Sequence, residues 1–219
     1  MSERTGRIAR WYPLAAAIVA LAASAVVYTR LPERAPTHWN AVGQVDRYGS
    51  PLALTLTMPM VMFAIALLAP LLRKIDPRRS NYEKFLPTYY FTFGVAQTLA
   101  LIIQVMLLAT ALGYHLPVER MLTAGIAFLF LALGNVMPRV RSNWWIGIRT
   151  PWTLSSDRVW MRTHRVAGYL WTGAGLLMLA ALIIPRPTTV IVAMSVIGGA
   201  AVLSSIAYSY VAWRQERHA

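Results

Sequence analysis

Six long uncharged segments constrain the fold of this chain more than any other feature of the sequence. They cover residues 11–29, 51–72, 85–114, 121–138, 166–185 and 187–213. A helix of about 20 apolar residues crosses the hydrocarbon core of a bilayer, and these segments lack the alternating polarity of barrel strands. Backbone polar groups in lipid must be satisfied within the protein, which leaves helices as the spanning form. We predict an all-α integral membrane protein with six transmembrane helices, forming a single polytopic domain over residues 1–219.

The composition supports a membrane protein and narrows the function classes. Charged residues make up 13% of the chain and hydrophobic residues 57%, whereas about 25% of residues are charged in soluble domains. The absence of cysteine excludes disulfides, thiolate nucleophiles and sulfur-ligated metals. A net charge of +13 would suggest nucleic acid as the partner of a soluble protein, but no nucleic-acid-binding motif accompanies it. We therefore predict the lipid bilayer as a partner, with no direct nucleic-acid binding and no cofactor.

The distribution of Lys and Arg predicts the orientation in the membrane. With the N-terminus inside, 16 of the 21 cationic residues fall in cytoplasmic segments and five fall outside. This asymmetry satisfies the positive-inside rule and predicts that both termini are cytoplasmic. The first segment has a second interpretation, a cleavable signal peptide with its site at Ala23-Ser24-Ala25. Trp11 and Tyr28 at the two ends of the segment favour a retained helix, because tryptophan and tyrosine concentrate at membrane interfaces.

The first outer loop, residues 30–50, contains a compact polar motif. Proline residues exclude a helix there, and Ser50 with Pro51 predicts the start of the second helix. The motif residues are Pro36, His38, Trp39, Asn40, Gly43 and Asp46. His38 and Asn40 share one side of an extended segment, and Asp46 returns near them after a turn at Gly43. These groups suit either a metal or proton site or hydrogen bonds that fix the loop; we predict hydrogen bonds and no metal.

Polar residues within the membrane segments predict helix packing. Gln97 and Gln104 are seven residues apart and therefore lie on one helix face. We predict that these glutamines and Asn135 make interhelical hydrogen bonds. No Asp, Glu, Lys, Arg or His lies within the six segments, which argues against ion-coupled transport and intramembrane proteolysis. The sequence predicts no catalytic residue.

The loop at residues 139–165 is the most distinctive polar region of the chain. Its motif residues are Asn143, Gly147, Arg149, Thr150, Pro151, Trp152, Thr153, Trp160 and His164. Ser155 is a plausible N-cap for a helix that continues to residue 184, and one face of this helix is predicted to pack on residues 143–153. The same face also suits an interfacial anchor. Arg149 can either organise the loop by stacking on Trp145 or Trp152, or contact a protein partner.

The loop motif, with Gly134-Asn135 before it, resembles the signature of the SdpI family. The outer-loop motif is similar to the uncharacterised domain that often forms the N-terminal half of those proteins. The resemblance implies a bacterial plasma-membrane protein that gives immunity to a secreted membrane-active peptide toxin. It also implies a possible signalling receptor that holds a transcriptional repressor at the membrane, and no enzymatic activity. A small-solute or peptide exporter and a membrane-embedded enzyme are the alternatives.

Overall fold

The computed structural model describes residues 3–40 and 44–218, and its regular secondary structure is helical except for one short hairpin. The helices are α1 (Glu3–Val27), α2 (Pro51–Ile75), α3 (Leu86–Ala111), α4 (Val118–Val136), α5 (Pro151–Ser155), α6 (Asp157–Ala181) and α7 (Pro187–Arg217). The two antiparallel strands are β1 (Ala35–Trp39) and β2 (Val45–Gly49). Three short 3₁₀ turns complete the chain, at Tyr28–Arg30, Arg79–Lys84 and Met137–Arg139. The predicted all-α class is therefore correct, and the outer loop adds the hairpin to it.

Among the described residues, five helices are long and apolar enough to cross a membrane: α1, α2, α3, α4 and α7. The remaining predicted span, residues 166–185, falls mainly in α6. This helix begins with charged turns and ends at Ala181, so its uncharged part, residues 166–181, falls short of the about 20 residues that cross the hydrocarbon core. Even so, α6 packs along both α4 and α7. The protein is a multi-pass membrane protein, and a sixth span stays a prediction.

The long helices form two groups of three. Helices α1, α2 and α3 pack against one another, and α4, α6 and α7 do the same, while α3 and α4 connect the groups. The α4–α6 contact is close at Gly134, where an added Cβ would lie 2.6 Å from the backbone nitrogen of Thr172. Small residues permit such close approach of membrane helices. We call the two groups the N-terminal and C-terminal halves.

Two glutamines in α3 make the predicted interhelical hydrogen bonds. The amide of Gln97 donates to the carbonyl oxygen of Met62 in α2 at 2.7 Å. The amide of Gln104 donates to the Ser24 hydroxyl of α1 at 2.8 Å and to the Leu54 carbonyl of α2 at 3.2 Å. Both side chains are buried. These bonds fix the mutual positions of the three helices of the N-terminal half.

Asn135 does not make the interhelical bond predicted for it. Its side chain is exposed near the end of α4, whereas the neighbouring Gly134 and Val136 are buried. Successive residues of a helix are about 100° apart, so the two buried neighbours turn Asn135 away from α6. The amide therefore lies on the outer surface of the C-terminal half.

Candidate functional site

The connection between α4 and α6, residues 139–156, is held by many side-chain hydrogen bonds, and we call it the motif loop. Its first turn is held by Asn143, which is fully buried. The side-chain oxygen of Asn143 accepts from the backbone nitrogens of Trp145 and Ile146, both at 2.8 Å. Its amide donates to the carbonyls of Arg141 and Ile146. One side chain thus satisfies the backbone of a whole turn, which is why an asparagine is required there.

The next turn brings Gly147 against His164 of α6. Gly147 has a φ of +101°, a conformation that residues with a Cβ rarely adopt. A Cβ on Gly147 would lie 2.4 Å from Nε2 of His164 and 3.2 Å from the Trp160 ring. Both the backbone conformation and the available space therefore require glycine.

His164 joins α6 to the motif loop through both ring nitrogens. Nδ1 lies 2.8 Å from the carbonyl oxygen of Trp160, and Nε2 lies 3.0 Å from the backbone nitrogen of Ile148. A carbonyl only accepts and an amide N–H only donates, so Nδ1 carries the proton and Nε2 is the acceptor. The imidazole is therefore neutral. A protonated ring would direct a second N–H at the amide of Ile148.

Burial reinforces the neutral state of His164. The side chain is fully buried and stacks on Trp160, with ring centroids 4.1 Å apart. It precedes residue 166, where the predicted sixth span begins. Burial lowers the pKa of His164 to about 4, although its hydrogen bond to the Trp160 carbonyl acts in the opposite direction. His164 is consequently a packing residue with no free nitrogen for proton transfer or metal binding.

Thr150 attaches the motif loop to the last helix. It forms a capping box with Thr153 at the start of α5, in which each side chain bonds the backbone nitrogen of the other. Pro151 occupies the first position of α5. The Thr150 hydroxyl also lies 3.0 Å from the Ser209 hydroxyl of α7. Trp152 packs edge-on against Tyr210, with ring centroids 5.1 Å apart.

The start of α6 differs by one residue from the prediction. Ser156, not Ser155, is the N-cap, and its hydroxyl accepts from the backbone nitrogens of Arg158 and Val159. Ser155 is the last residue of α5, and its hydroxyl donates to the Trp152 carbonyl. The short helix α5 was not predicted, and it moves the start of α6 by one position.

Arg149 plays a smaller structural part than the sequence suggests. Its side chain is exposed, and it donates one hydrogen bond, from Nη1 to the Trp144 carbonyl. Within the described part of the chain, the guanidinium stacks on neither Trp145 nor Trp152. Of the two roles left open for Arg149, stacking on an indole is therefore not observed, and the contact with a protein partner stays a prediction.

Residues between α2 and α3 hold the motif loop from the other half, and the sequence analysis missed them. We call residues 76–85 the anchor segment. Asp76 is 2% exposed, and its Oδ2 accepts from the Tyr82 hydroxyl at 2.6 Å and from the backbone nitrogen of Trp144 at 2.8 Å. Burial and the hydrogen bond to Asp76 both raise the pKa of Tyr82, so this hydroxyl stays protonated and donates.

Two further side chains of the anchor segment reach the motif loop. The guanidinium of Arg78 donates to the Ser142 hydroxyl and to the Leu154 carbonyl. The Asn81 amide donates to the Ser142 carbonyl at 2.8 Å. A carboxylate next to Pro77 among several cations is an available signal in the sequence. The cations of this segment were used only to predict the orientation, and Asp76 was not considered.

The outer-loop motif lies at the opposite end of the helices, in the β1–β2 hairpin. Nδ1 of His38 lies 2.6 Å from Oδ1 of Asp46. The side chain of Asn40 accepts from the backbone nitrogen of Gln44 at 3.0 Å. Pro36 lies opposite Tyr48 in the register, while Gly43 and the side chain of Trp39 lie outside the described residues. Among the described residues, no group of three His, Cys, Asp or Glu side chains could hold a metal.

Comparisons with known proteins match these two regions. Residues 139–209 match the SdpI/YfhL protein family, and residues 15–63 match a domain of unknown function, DUF1648. The chain is 26% identical to the immunity protein SdpI of Bacillus subtilis (strain 168) over 155 residues, which cover 71% of this chain and 72% of that protein. No solved structure matches the chain. The resemblance to the SdpI family, with its N-terminal uncharacterised domain, is therefore confirmed.

Proposed function

We propose, from this similarity to the SdpI family, that the chain is an immunity protein of the bacterial plasma membrane that protects the cell against a secreted membrane-active peptide toxin. The observation that carries the proposal is the extent of the similarity, which covers 71% of this chain and 72% of a protein named for immunity. The matched regions also contain the hairpin and the motif loop. The similarity therefore includes the two structured polar regions as well as the apolar helices.

The hairpin is the surface that we propose to face the toxin. The side chains of His38 and Asp46 are 56% and 42% exposed, yet their contact fixes them relative to each other. An exposed polar surface with fixed geometry can recognise a peptide at a low entropic cost. Replacing His38 or Asn40 with alanine should lower protection while the amount of protein in the membrane stays unchanged. Full protection in both variants would exclude the hairpin from toxin recognition.

The opposite end offers a surface for the proposed signalling role. Trp144 is 48% exposed, and Arg149 is exposed five residues later in the same loop. Tryptophan and arginine are enriched at binding hot spots, and the backbone beneath them is held by Asn143 and Asp76. We propose that this surface contacts a cytosolic repressor. Trp144→Ala and Arg149→Ala should then weaken repressor capture while toxin protection is retained.

The hydrogen bonds of His164 favour a non-enzymatic role. His164, the histidine that contacts the motif loop, is buried, and both of its ring nitrogens are hydrogen-bonded. It is therefore not available as a catalytic acid or base.

The anchor segment links the two halves, and we propose that the two halves act as one functional unit. An exporter or a membrane-embedded enzyme has no comparable support from the relatives.

Gene deletion provides a direct test of immunity. A strain lacking the gene should lose viability in filtered culture supernatant from its parent, and a plasmid copy should restore survival. Protease treatment of the supernatant should remove the killing, because the proposed toxin is a peptide. Equal survival of the deletion strain and its parent in supernatants that kill other bacteria would reject the proposal.

A further inference from the structure

A cationic cavity lies beside the anchor segment, on the side away from the hairpin. It has a volume of about 530 Å³. Its lining residues are Arg73, Lys74, Arg79, Ser80, Tyr82 and Glu83. Arg73 and Lys74 belong to the last turn of α2, and Arg79 begins the following 3₁₀ turn. Three cationic side chains thus face one cavity that contains a single carboxylate.

The position of this cavity in the fold places it at the membrane surface. The candidate membrane span Pro51–Ile75 ends beside it, and the next span begins at Leu86. Arg73 and Lys74 therefore lie where the hydrocarbon core meets the headgroup region. Cations at this depth are within reach of lipid phosphates.

None of the three cations of the cavity forms an ion pair with a carboxylate of the described residues. Among the described residues, the ion pairs join His38 to Asp46 and Arg158 to Glu216. Neither of these pairs includes a cation of the cavity. Uncompensated cations in a concave surface create a focused positive potential, which favours an anionic ligand.

We propose that this cavity binds the phosphate group of an anionic phospholipid headgroup. The two guanidinium groups can donate paired hydrogen bonds to phosphate oxygens, and Lys74 adds a third charge. Tyr82 forms part of the cavity wall while its hydroxyl bonds to Asp76, which in turn accepts from the backbone of Trp144. A bound headgroup therefore stabilises the anchor segment and, through Asp76, the motif loop.

Lipid binding is tested on the purified full chain in detergent by native mass spectrometry with added phosphatidylglycerol or phosphatidylcholine. Each cation within reach of the bound headgroup contributes about fivefold to the binding of anionic lipid. The double variant Arg73→Gln/Arg79→Gln should therefore bind phosphatidylglycerol about 25-fold more weakly than the wild type. Phosphatidylcholine should bind weakly to both proteins.

A matched control separates the cavity from general surface charge. The double variant Arg139→Gln/Arg165→Gln removes the same charge from exposed positions at the same end of the helices, and it should bind phosphatidylglycerol almost as the wild type does. An equal loss in both double variants would overturn the proposal, because the attraction would then be unspecific. Arg73→Lys/Arg79→Lys keeps the charge but loses the paired donors, so it should bind phosphatidylglycerol more tightly than Arg73→Gln/Arg79→Gln and more weakly than the wild type.

Two further measurements complete the design. Lys74 is exposed, so Lys74→Gln tests the cavity even if the double variant does not fold, with an expected loss of about fivefold. Thermal unfolding should shift upward with phosphatidylglycerol in the wild type but not in Arg73→Gln/Arg79→Gln. If inorganic phosphate without lipid gives the same shift, the ligand is a free anion and the lipid proposal is wrong.

Discussion

Acidification should destabilise this protein through one buried histidine. The folded protein holds His164 neutral, with a pKa of about 4 against 6.5 for an unperturbed histidine. Because the folded pKa is the lower one, the unfolded chain takes up the proton first as the pH falls. The contribution of His164 to stability is therefore complete above about pH 6.5 and is lost progressively toward pH 4.

The size of this effect follows from the pKa difference. Each unit corresponds to about 1.4 kcal/mol, so the complete loss is about 3 kcal/mol. Between pH 7 and pH 5, linkage gives a loss of about 2 kcal/mol in the free energy of unfolding. For a chain of this size that loss lowers the melting temperature by about 4 to 8 °C.

The assay is thermal unfolding in detergent at pH 7 and pH 5, for the wild type and His164→Gln. Glutamine provides an amide donor and a carbonyl acceptor without titrating in this range. The variant should be less stable at pH 7 by about 1 to 3 kcal/mol, because the two hydrogen bonds are imperfectly replaced. Its melting temperature should nevertheless fall less on acidification than that of the wild type.

A control variant isolates the buried site. His38→Gln removes an exposed histidine at the far end of the molecule and should retain the steep acid dependence. If the wild type and His164→Gln lose stability in parallel between pH 7 and pH 5, the pKa of His164 is not lowered in the folded protein, and the neutral imidazole assigned from its two partners is wrong.

Three other predictions test the motif loop, its anchor and the orientation. Gly147→Ala should lower the free energy of unfolding by about 2 to 6 kcal/mol, from backbone strain and overpacking. The control Gly113→Ala, at a φ of +92° with open space around it, should lower it by about 1 to 2 kcal/mol in the same melting assay. Equal losses in the two variants would contradict the contact between Gly147 and His164. Asp76→Asn should lower stability by about 1 to 3 kcal/mol, because the carboxylate accepts bonds from two elements, and an unchanged melting temperature would show that the anchor contributes nothing. In intact cells, a membrane-impermeant thiol reagent should label Glu33→Cys but not Ser155→Cys, both at exposed positions; the reverse pattern would invert the predicted topology.

Much of the architecture is encoded locally in this sequence. Apolar segments predict membrane helices because the bilayer requires their length and composition. The prediction for Gln97 and Gln104 succeeded because a buried amide in an apolar helix has few partners other than a neighbouring helix. The start of α2 was equally local, since Ser50 caps the helix and Pro51 follows it. The two family motifs also carry their own signal in adjacent residues.

The tertiary structure decided which charged and polar groups hold the motif loop. Asp76 bonds to Trp144 across 68 positions of sequence, and no local pattern specifies which distant backbone nitrogen a carboxylate meets. For the same reason, the sequence drew attention to Arg149, whereas Arg78 is the arginine that bonds across the two halves. Asn135 makes no interhelical bond because the orientation of α4 turns its side chain away from the neighbouring helices. Composition and periodicity determine which segments are helices, but the orientation of each helix is set by packing, because that is where buried polar groups find partners.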